Sequence, residues 1–260
     1  GVDILIACPG RLEDLIAQGT CQLGDIEVTV LDEADHMADL GFLPAVRRLL
    51  RATAPDGQRM LFSATLDNGI SVLAGDFLSD PAVHAVDDES SPVQTMTHRV
   101  LLVQPADRSA VIRELAAGRG RRLLFTRTKY GARKWARALT KSGIPAVDLH
   151  GNLSQGARER NLAAFSSGEA TVLVATDIAA RGIHVDDIEL VVHLDPPAEH
   201  KAYLHRSGRT ARAGAGGTVV TLTLPEQRDD VRALMRKANI TPTIVSATPG
   251  SDNLAAVLAG

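Results

Sequence analysis

The chain has 260 residues, 45% hydrophobic and 23% charged, with a formal net charge of −3. That balance excludes a fibrous or low-complexity chain, and no apolar run approaches the roughly 18 residues of a membrane-crossing helix. The two cysteines, Cys8 and Cys21, form neither a disulfide framework nor a metal-ligand spacing, so a reducing, cytoplasmic setting is expected.

In chain order, residues 2–7, 28–31 and 60–62 are short apolar, β-branched runs that read as buried strands. Residues 87–95 follow, acidic, containing Ser and Pro and poor in apolar side chains, as a linker should be. Beyond them, residues 123–125, 172–175, 190–193 and 219–222 read as further strands. Amphipathic helices over 131–142 and 158–165 lie between these strands, the first with Ala132, Trp135, Ala136 and Leu139 on one face. Strand–helix alternation of this kind predicts a mostly parallel α/β sheet with helices on both faces. The expected organisation is a partial first domain of three or four strands (1–86), the linker, a complete second domain (96–225), and a C-terminal piece (226–260). That last piece opens with a helix over about 225–239 and ends in a loosely held tail rich in small and polar residues.

The near-neutral total hides a division that follows the same boundary. Residues 1–95 carry 5 Lys/Arg against 16 Asp/Glu, a net of −11, and residues 96–225 carry 19 against 11, a net of +8. A basic segment suits a polyanionic partner, though a merely solvated basic face explains the charge equally well.

Four motifs carry chemistry. Asp32-Glu33-Ala34-Asp35 follows an apolar strand, and ligands bind at strand C-termini in parallel sheets. Paired carboxylates there can hold Mg²⁺ on a nucleotide or simply be solvated. Ser63-Ala64-Thr65 sits at another strand end, where its hydroxyls can relay between sites or cap a helix. A loop from Ala175 to Ile183 groups Thr176, Asp177 and Arg181. In the fourth, Arg206, Arg209 and Arg212 recur every three residues in a segment that also holds Gly208 and Gly214, a spacing that aims guanidiniums along one face towards phosphate oxygens. A structural surface helix would not need those glycines.

Taken in this order, D-E-A-D, S-A-T, A-T-D-I-A-A-R-G-I and H-R-S-G-R-T-A-R-A-G resemble the DEAD-box family of ATP-dependent RNA helicases. Pro9-Gly10-Arg11, Phe125-Thr126-Arg127-Thr128 and His150-Gly151 with Gln155 and Arg158 extend the resemblance over residues 1 to about 225. It implies two RecA-like domains that close on ATP and single-stranded RNA, the first partial here and the second complete. It assigns Asp32 to Mg²⁺ through water, Glu33 to the attacking water, and Asp35 to coupling with Ser63 and Thr65. Arg209 and Arg212 would reach the ATP phosphates, with Gly182 and His184 near the nucleotide. RNA sugar and phosphate would meet Pro9, Gly10, Arg11, Arg127, Gly151, Arg158, Thr176 and Arg181. Gln155, Asp177, His205 and Arg206 would couple the domains.

Three departures stand out. The family's G-x-x-x-x-G-K-[ST] phosphate loop is absent, because none of the five lysines (129, 134, 141, 201 and 237) follows a glycine. An N-terminally truncated chain of bacterial origin, inactive alone as an ATPase, is therefore expected, and the apolar faces of a cut sheet could favour self-association. Cys8 stands where the family usually has Thr, and His184 where it usually has Asp. His98, His150, His193 and His205 form no metal set and read as structural. The rival functions are a non-catalytic RNA-binding module and a DNA helicase of the same superfamily.

Overall fold

In the computed structural model, residues 1–66, 68–84, 96–180, 185, 187–211 and 217–259 are described. The chain divides into two compact units, Gly1–Val86 and Asp87–Gly260. The acidic stretch read as a linker lies outside the described residues, as do Arg181, Gly182, His184 and Arg212.

The first unit begins with helix α1 (Pro9–Ala17), which Pro9 opens from an extended Cys8. Proline suits a first turn, where its missing N–H has no intrahelical partner to lose. Strands β1 (Val28–Leu31) and β2 (Gln58–Leu61) pair in parallel, Val30 opposite Met60. Helices α2 (Ala34–Asp39), α3 (Leu43–Ala52) and α4 (Asn68–Phe77) complete the unit. Its core is small: Val46, Leu50 and Leu73 are buried, with Leu31, Met37, Leu43, Leu61 and Phe77 packed against them.

Residues 2–7 correct the expectation of a buried strand. They pair with neither β1 nor β2, and Ile4 and Ile6 are 81% and 92% exposed. A β-branched run becomes a strand only where an adjacent edge satisfies its N–H and C=O groups. The first unit accordingly has two strands among the described residues, not three or four.

The second unit is built on seven strands: β3 (Thr97–Leu102), β4 (Arg121–Phe125), β5 (Ala146–Leu149), β6 (Val172–Ala175), β7 (Ile188–His193), β8 (Thr218–Thr223) and β9 (Thr243–Ser246). Their order is β5-β6-β4-β7-β8-β3-β9, and every pairing among the described residues is parallel. Alternate residues divide between two cores, as a period of two requires. Leu123, Phe125, Leu173, Ala175, Val191 and Val219 join one, and Leu124, Val172, Val174, Val192, Val220 and Leu222 join the other. Helices α7 (Gln155–Ser167), α8 (Asp177–Ala180), α9 (His200–Ser207) and α10 (Arg228–Lys237) contribute to the first core. Helices α5 (Arg108–Ala117), α6 (Lys129–Lys141) and α11 (Asp252–Leu258) contribute to the second.

The C-terminal piece is also corrected. Instead of a loose tail, β9 adds to the sheet beside β3, with Val100 opposite Ile244. Leu254 and Val257 of α11 are buried in the second core. A short edge strand with half its residues exposed gives little periodic signal, and its register is set by β3.

Candidate functional site

In the first unit, β1 delivers Asp32 and Glu33 to its C-terminal end, both exposed. Glu33 adopts a left-handed backbone, φ 49° and ψ 47°, between strand and helix. Such a conformation is uncommon for a residue with a side chain and persists only where its surroundings hold it. Here Phe62 N donates to Leu31 O (2.8 Å) and Ala34 N donates to Phe62 O (3.0 Å), stapling the D-E-A-D turn to the S-A-T strand end. Asp32 Oδ1 accepts from Glu33 N at 2.9 Å.

Asp35 is 3% exposed, and one of its oxygens accepts from His36 N at 2.9 Å. The other lies 3.5 Å from Thr65 Oγ1. Ser63 Oγ donates to Thr65 O at 2.7 Å. D-E-A-D and S-A-T are thus brought together, through Thr65 directly and through Ser63 by way of the Thr65 backbone. Mg²⁺ keeps several waters and takes one or two carboxylates beside substrate phosphates. An exposed Asp32 with a neighbouring Glu33 fits that habit, and no group of three or more potential metal ligands occurs among the described residues.

Pro9 and Gly10 form the first turn of α1, and Arg11 is exposed beside Asp14, Nη1 to Oδ2 2.9 Å. Glu13 accepts from Arg48 Nε at 2.7 Å, tying α1 to α3, and that bond pulls the Glu13 carboxyl below its usual range.

In the second unit, the RNA-facing candidates gather along one sheet edge. Phe125 is in register with Ala175, and Ala175 with Leu149. The chain therefore leaves three adjacent strands, β4, β6 and β5, at Thr126-Arg127, Thr176-Asp177 and His150-Gly151. Arg127 and Gly151 are exposed, Thr176 is half-buried, and a Cβ at Gly151 would meet nothing within 4 Å. Gly131 is different: a Cβ there would come within 2.6 Å of Thr126 Oγ1, so glycine lets α6 start tight against the end of β4.

Arg206 is buried to 4% exposure and grips Asp177 bidentately, Nε to Oδ1 2.5 Å and Nη2 to Oδ2 2.7 Å. Its Nη1 donates to Asp195 O at 2.9 Å, and its guanidinium lies 5.3 Å from the Phe125 ring centre. These contacts fix the C-terminal turn of α9, from which Arg209 projects half-buried over a small cavity lined by Phe125, Asp177, His205 and Arg206. Arg158 Nη2 donates to Ala179 O at 2.9 Å, holding α8, and Gln155 Nε2 donates to Glu159 at 2.8 Å.

Asp195 escaped the sequence reading. Its Oδ2 accepts from Thr126 Oγ1 (2.9 Å) and Arg127 N (3.1 Å), and its Oδ1 from Arg108 (2.9 Å), so it sets the backbone from which Arg127 projects. An acid at the end of the strand run Leu190–Leu194 is the same sequence signal as the acids that follow Leu31.

A second unanticipated cluster lies beneath α9. Tyr203 Oη is 2.7 Å from His98 Nδ1, and the His193 ring meets the Tyr203 ring edge-on at 4.9 Å. His193 Nδ1 is 3.1 Å from Thr221 Oγ1. Burial first, then the Arg206 charge, hold the His193 imidazole well below its usual range, and burial raises the Tyr203 phenol. His150 Nδ1 accepts from Asn152 N (3.2 Å), and its Nε2 lies 3.0 Å from Asp148 Oδ2.

A parallel sheet covered by helices on both faces, with loops converging at its strand C-termini, defines a doubly wound α/β protein of the kind that binds ligands at that end of the sheet. Residues 107–214 match the helicase conserved C-terminal domain, and residues 1–72 match the DEAD/DEAH box helicase domain. The chain belongs to the DEAD-box RNA helicase family. It is 36% identical over 256 residues to DEAD-box ATP-dependent RNA helicase 30 of Arabidopsis thaliana, covering 95% of this chain and 43% of that protein. It thus spans less than half the length of this relative. Among solved structures, S. cerevisiae Dbp5 bound to RNA and ADP BeF3 matches with a TM-score of 0.85 at 28% identity, over 98% of this chain and 67% of that one. A DEAD box protein from Methanococcus jannaschii matches with a TM-score of 0.57 at 29% identity, over 92% and 65%. These likenesses establish the RecA-like α/β fold.

Proposed function

We propose that the chain binds the sugar-phosphate backbone of single-stranded RNA and supplies catalytic parts of an ATP-dependent RNA helicase. The observation that carries this reading is the alignment of Arg127, Gly151 and Thr176 at the ends of three neighbouring strands. An exposed guanidinium, a glycine open to close approach and a hydroxyl are what a phosphate track needs. Arg158, with one nitrogen held by Ala179, extends the track, and Arg181 belongs to it by motif position. Pro9, Gly10 and Arg11 take the same role in the first unit. Solved Dbp5 carries RNA and a nucleotide analogue, which supports both ligand classes here.

On the ATP side, Asp32 would hold Mg²⁺ on bound ATP, and Glu33, in its left-handed turn, would orient the attacking water. Asp35 with Thr65 and Ser63 keeps that turn in place. By motif position, Arg209 and Arg212 would meet the ATP phosphates, and Gly182 and His184 are assigned to the nucleotide by the same resemblance. Bound MgATP supplies the phosphoryl transfer itself. Arginines in this role contribute ~10³–10⁵ in rate. Asp177, Arg206, His205 and Gln155 would couple the domains, and the Arg206–Asp177 pair steadies the turn that precedes Arg209.

No lysine here follows a glycine, so this chain alone lacks the loop that cradles the phosphates. That favours a second reading for the isolated chain, a non-catalytic RNA-binding module. Titrating labelled single-stranded RNA and DNA against salt tests the RNA reading. RNA binding should weaken with a slope of about −0.7 per phosphate contact, and Arg127→Ala should reduce that slope by one contact. A salt-independent titration, or DNA binding equal to RNA, would overturn it. In the same preparation, steady RNA-stimulated phosphate release that Glu33→Gln abolishes would show that the chain turns over ATP by itself.

A further inference from the structure

Helix α6 presents a face that the site above does not use. Ala132, Ala136 and Leu139 are buried and Trp135 is half-buried, all on one side of the helix. At about 100° per residue, Lys129, Arg133, Lys134, Arg137 and Lys141 fall within an arc of roughly 140° on the other side. All five are exposed, and Tyr130, 75% exposed, lies among them. The helix contains no acidic residue. Among the described residues, Arg133, Lys134, Arg137 and Lys141 share no ion pair with a carboxylate.

This arrangement works against the helix. Lys129–Arg133, Arg133–Arg137 and Arg137–Lys141 are like charges four residues apart, which destabilise a helix. Lys129 at the first position opposes the helix dipole, whose N-terminal end is positive. A face serving only solubility would gain from interspersed carboxylates. The stripe is also continuous with the sheet edge. The helix begins two residues after Arg127, capped by Thr128 Oγ1 accepting from Gly131 N at 3.0 Å. Lys129 Nζ donates to Asn152, next to Gly151, at 3.1 Å. From there the cations run about 18 Å along the helix axis.

We infer that the cationic face of α6 is a second RNA-backbone surface, holding the strand where it leaves the loops at Arg127 and Gly151. Tyr130, exposed amid the cations, offers a ring on which a base can stack. The inference rests on the RNA reading above and extends it to nucleotides that flank the sheet edge.

The test uses the whole chain, labelled oligouridylates of about 6 and about 20 nucleotides, and the triple variant Arg133→Gln, Lys134→Gln, Arg137→Gln. Glutamine is a good helix former, and these side chains are exposed, so thermal unfolding should match the parent. The variant should bind the short RNA like the parent. For the long RNA it should lose on the order of tenfold in affinity at low salt, and about 2 units of salt slope. Unchanged binding of the long RNA would overturn the inference and leave the stripe to an acidic protein surface. Equal losses for both lengths would overturn it too, since they would show a diffuse field and no extended track. If the parent binds neither length, the RNA reading itself fails, and this inference with it.

Discussion

The two units spend their residues differently. The second sandwiches seven parallel strands between two buried cores. The first sets two strands on three fully buried hydrophobic side chains in its cluster, and leaves Val28 and Val30 about half exposed. Arg206 and Arg209 stand on the thick unit, and Asp32 and Glu33 on the thin one. Positioning on the thick unit comes from depth, as in the buried Arg206 guanidinium held by Asp177. On the thin unit it comes from a few backbone bonds around a left-handed Glu33.

The contrast can be broken most forcefully in the core. Leu124 is fully buried, so Leu124→Ala should cost about 2–5 kcal/mol. Trp135, the only tryptophan, lies in the second unit, and its fluorescence during urea unfolding reports that cost. Val30→Ala, at a site 52% exposed in the first unit, should leave the same transition within about 0.5 kcal/mol. Comparable shifts from both variants would mean that the units do not differ as described.

Next is the ion pair. Asp177→Ala strands a buried guanidinium and should cost on the order of 3 kcal/mol, near the low end for such pairs because the Asp177 side chain is 36% exposed. Urea midpoints measure it. Breaking the exposed Arg11–Asp14 pair with Arg11→Ala should cost less than about 0.5 kcal/mol of stability.

A smaller effect tests the cluster under α9. His193 is held neutral when folded, so the unfolded chain binds more protons at acid pH. Stability should therefore fall as pH drops below about 6.5, by up to about 1.4 kcal/mol per pH unit from this group. His193→Gln should flatten that part of the profile between pH 7.5 and 5. An unchanged slope would mean that the imidazole is free to charge in the fold.

Much of this was legible from sequence because the motifs are local. Strands 123–125, 172–175, 190–193 and 219–222 are continuous apolar runs, as strands buried on both faces must be. The strands β3, β5 and β9 were missed: β5 carries Asp148, β9 is half exposed, and β3 interleaves Thr97, His98 and Arg99. Residues 2–7 had the composition of a strand without a partner. Asp195 and the His98–Tyr203 contact arise from pairs 69 and 105 residues apart, which only the sheet order brings together. Asp35 and Thr65, 30 residues apart, were linked in advance only through the family resemblance.

The central claim is that RNA lies along the C-terminal edge of β5, β6 and β4. Amide hydrogen exchange with and without a single-stranded oligouridylate tests it most directly. Slowed exchange should appear at residues 126–128, 150–153 and 176–179 together, and should fade as salt is raised. RNA-dependent protection that leaves all three segments unchanged, or that is confined to the first unit, would contradict it.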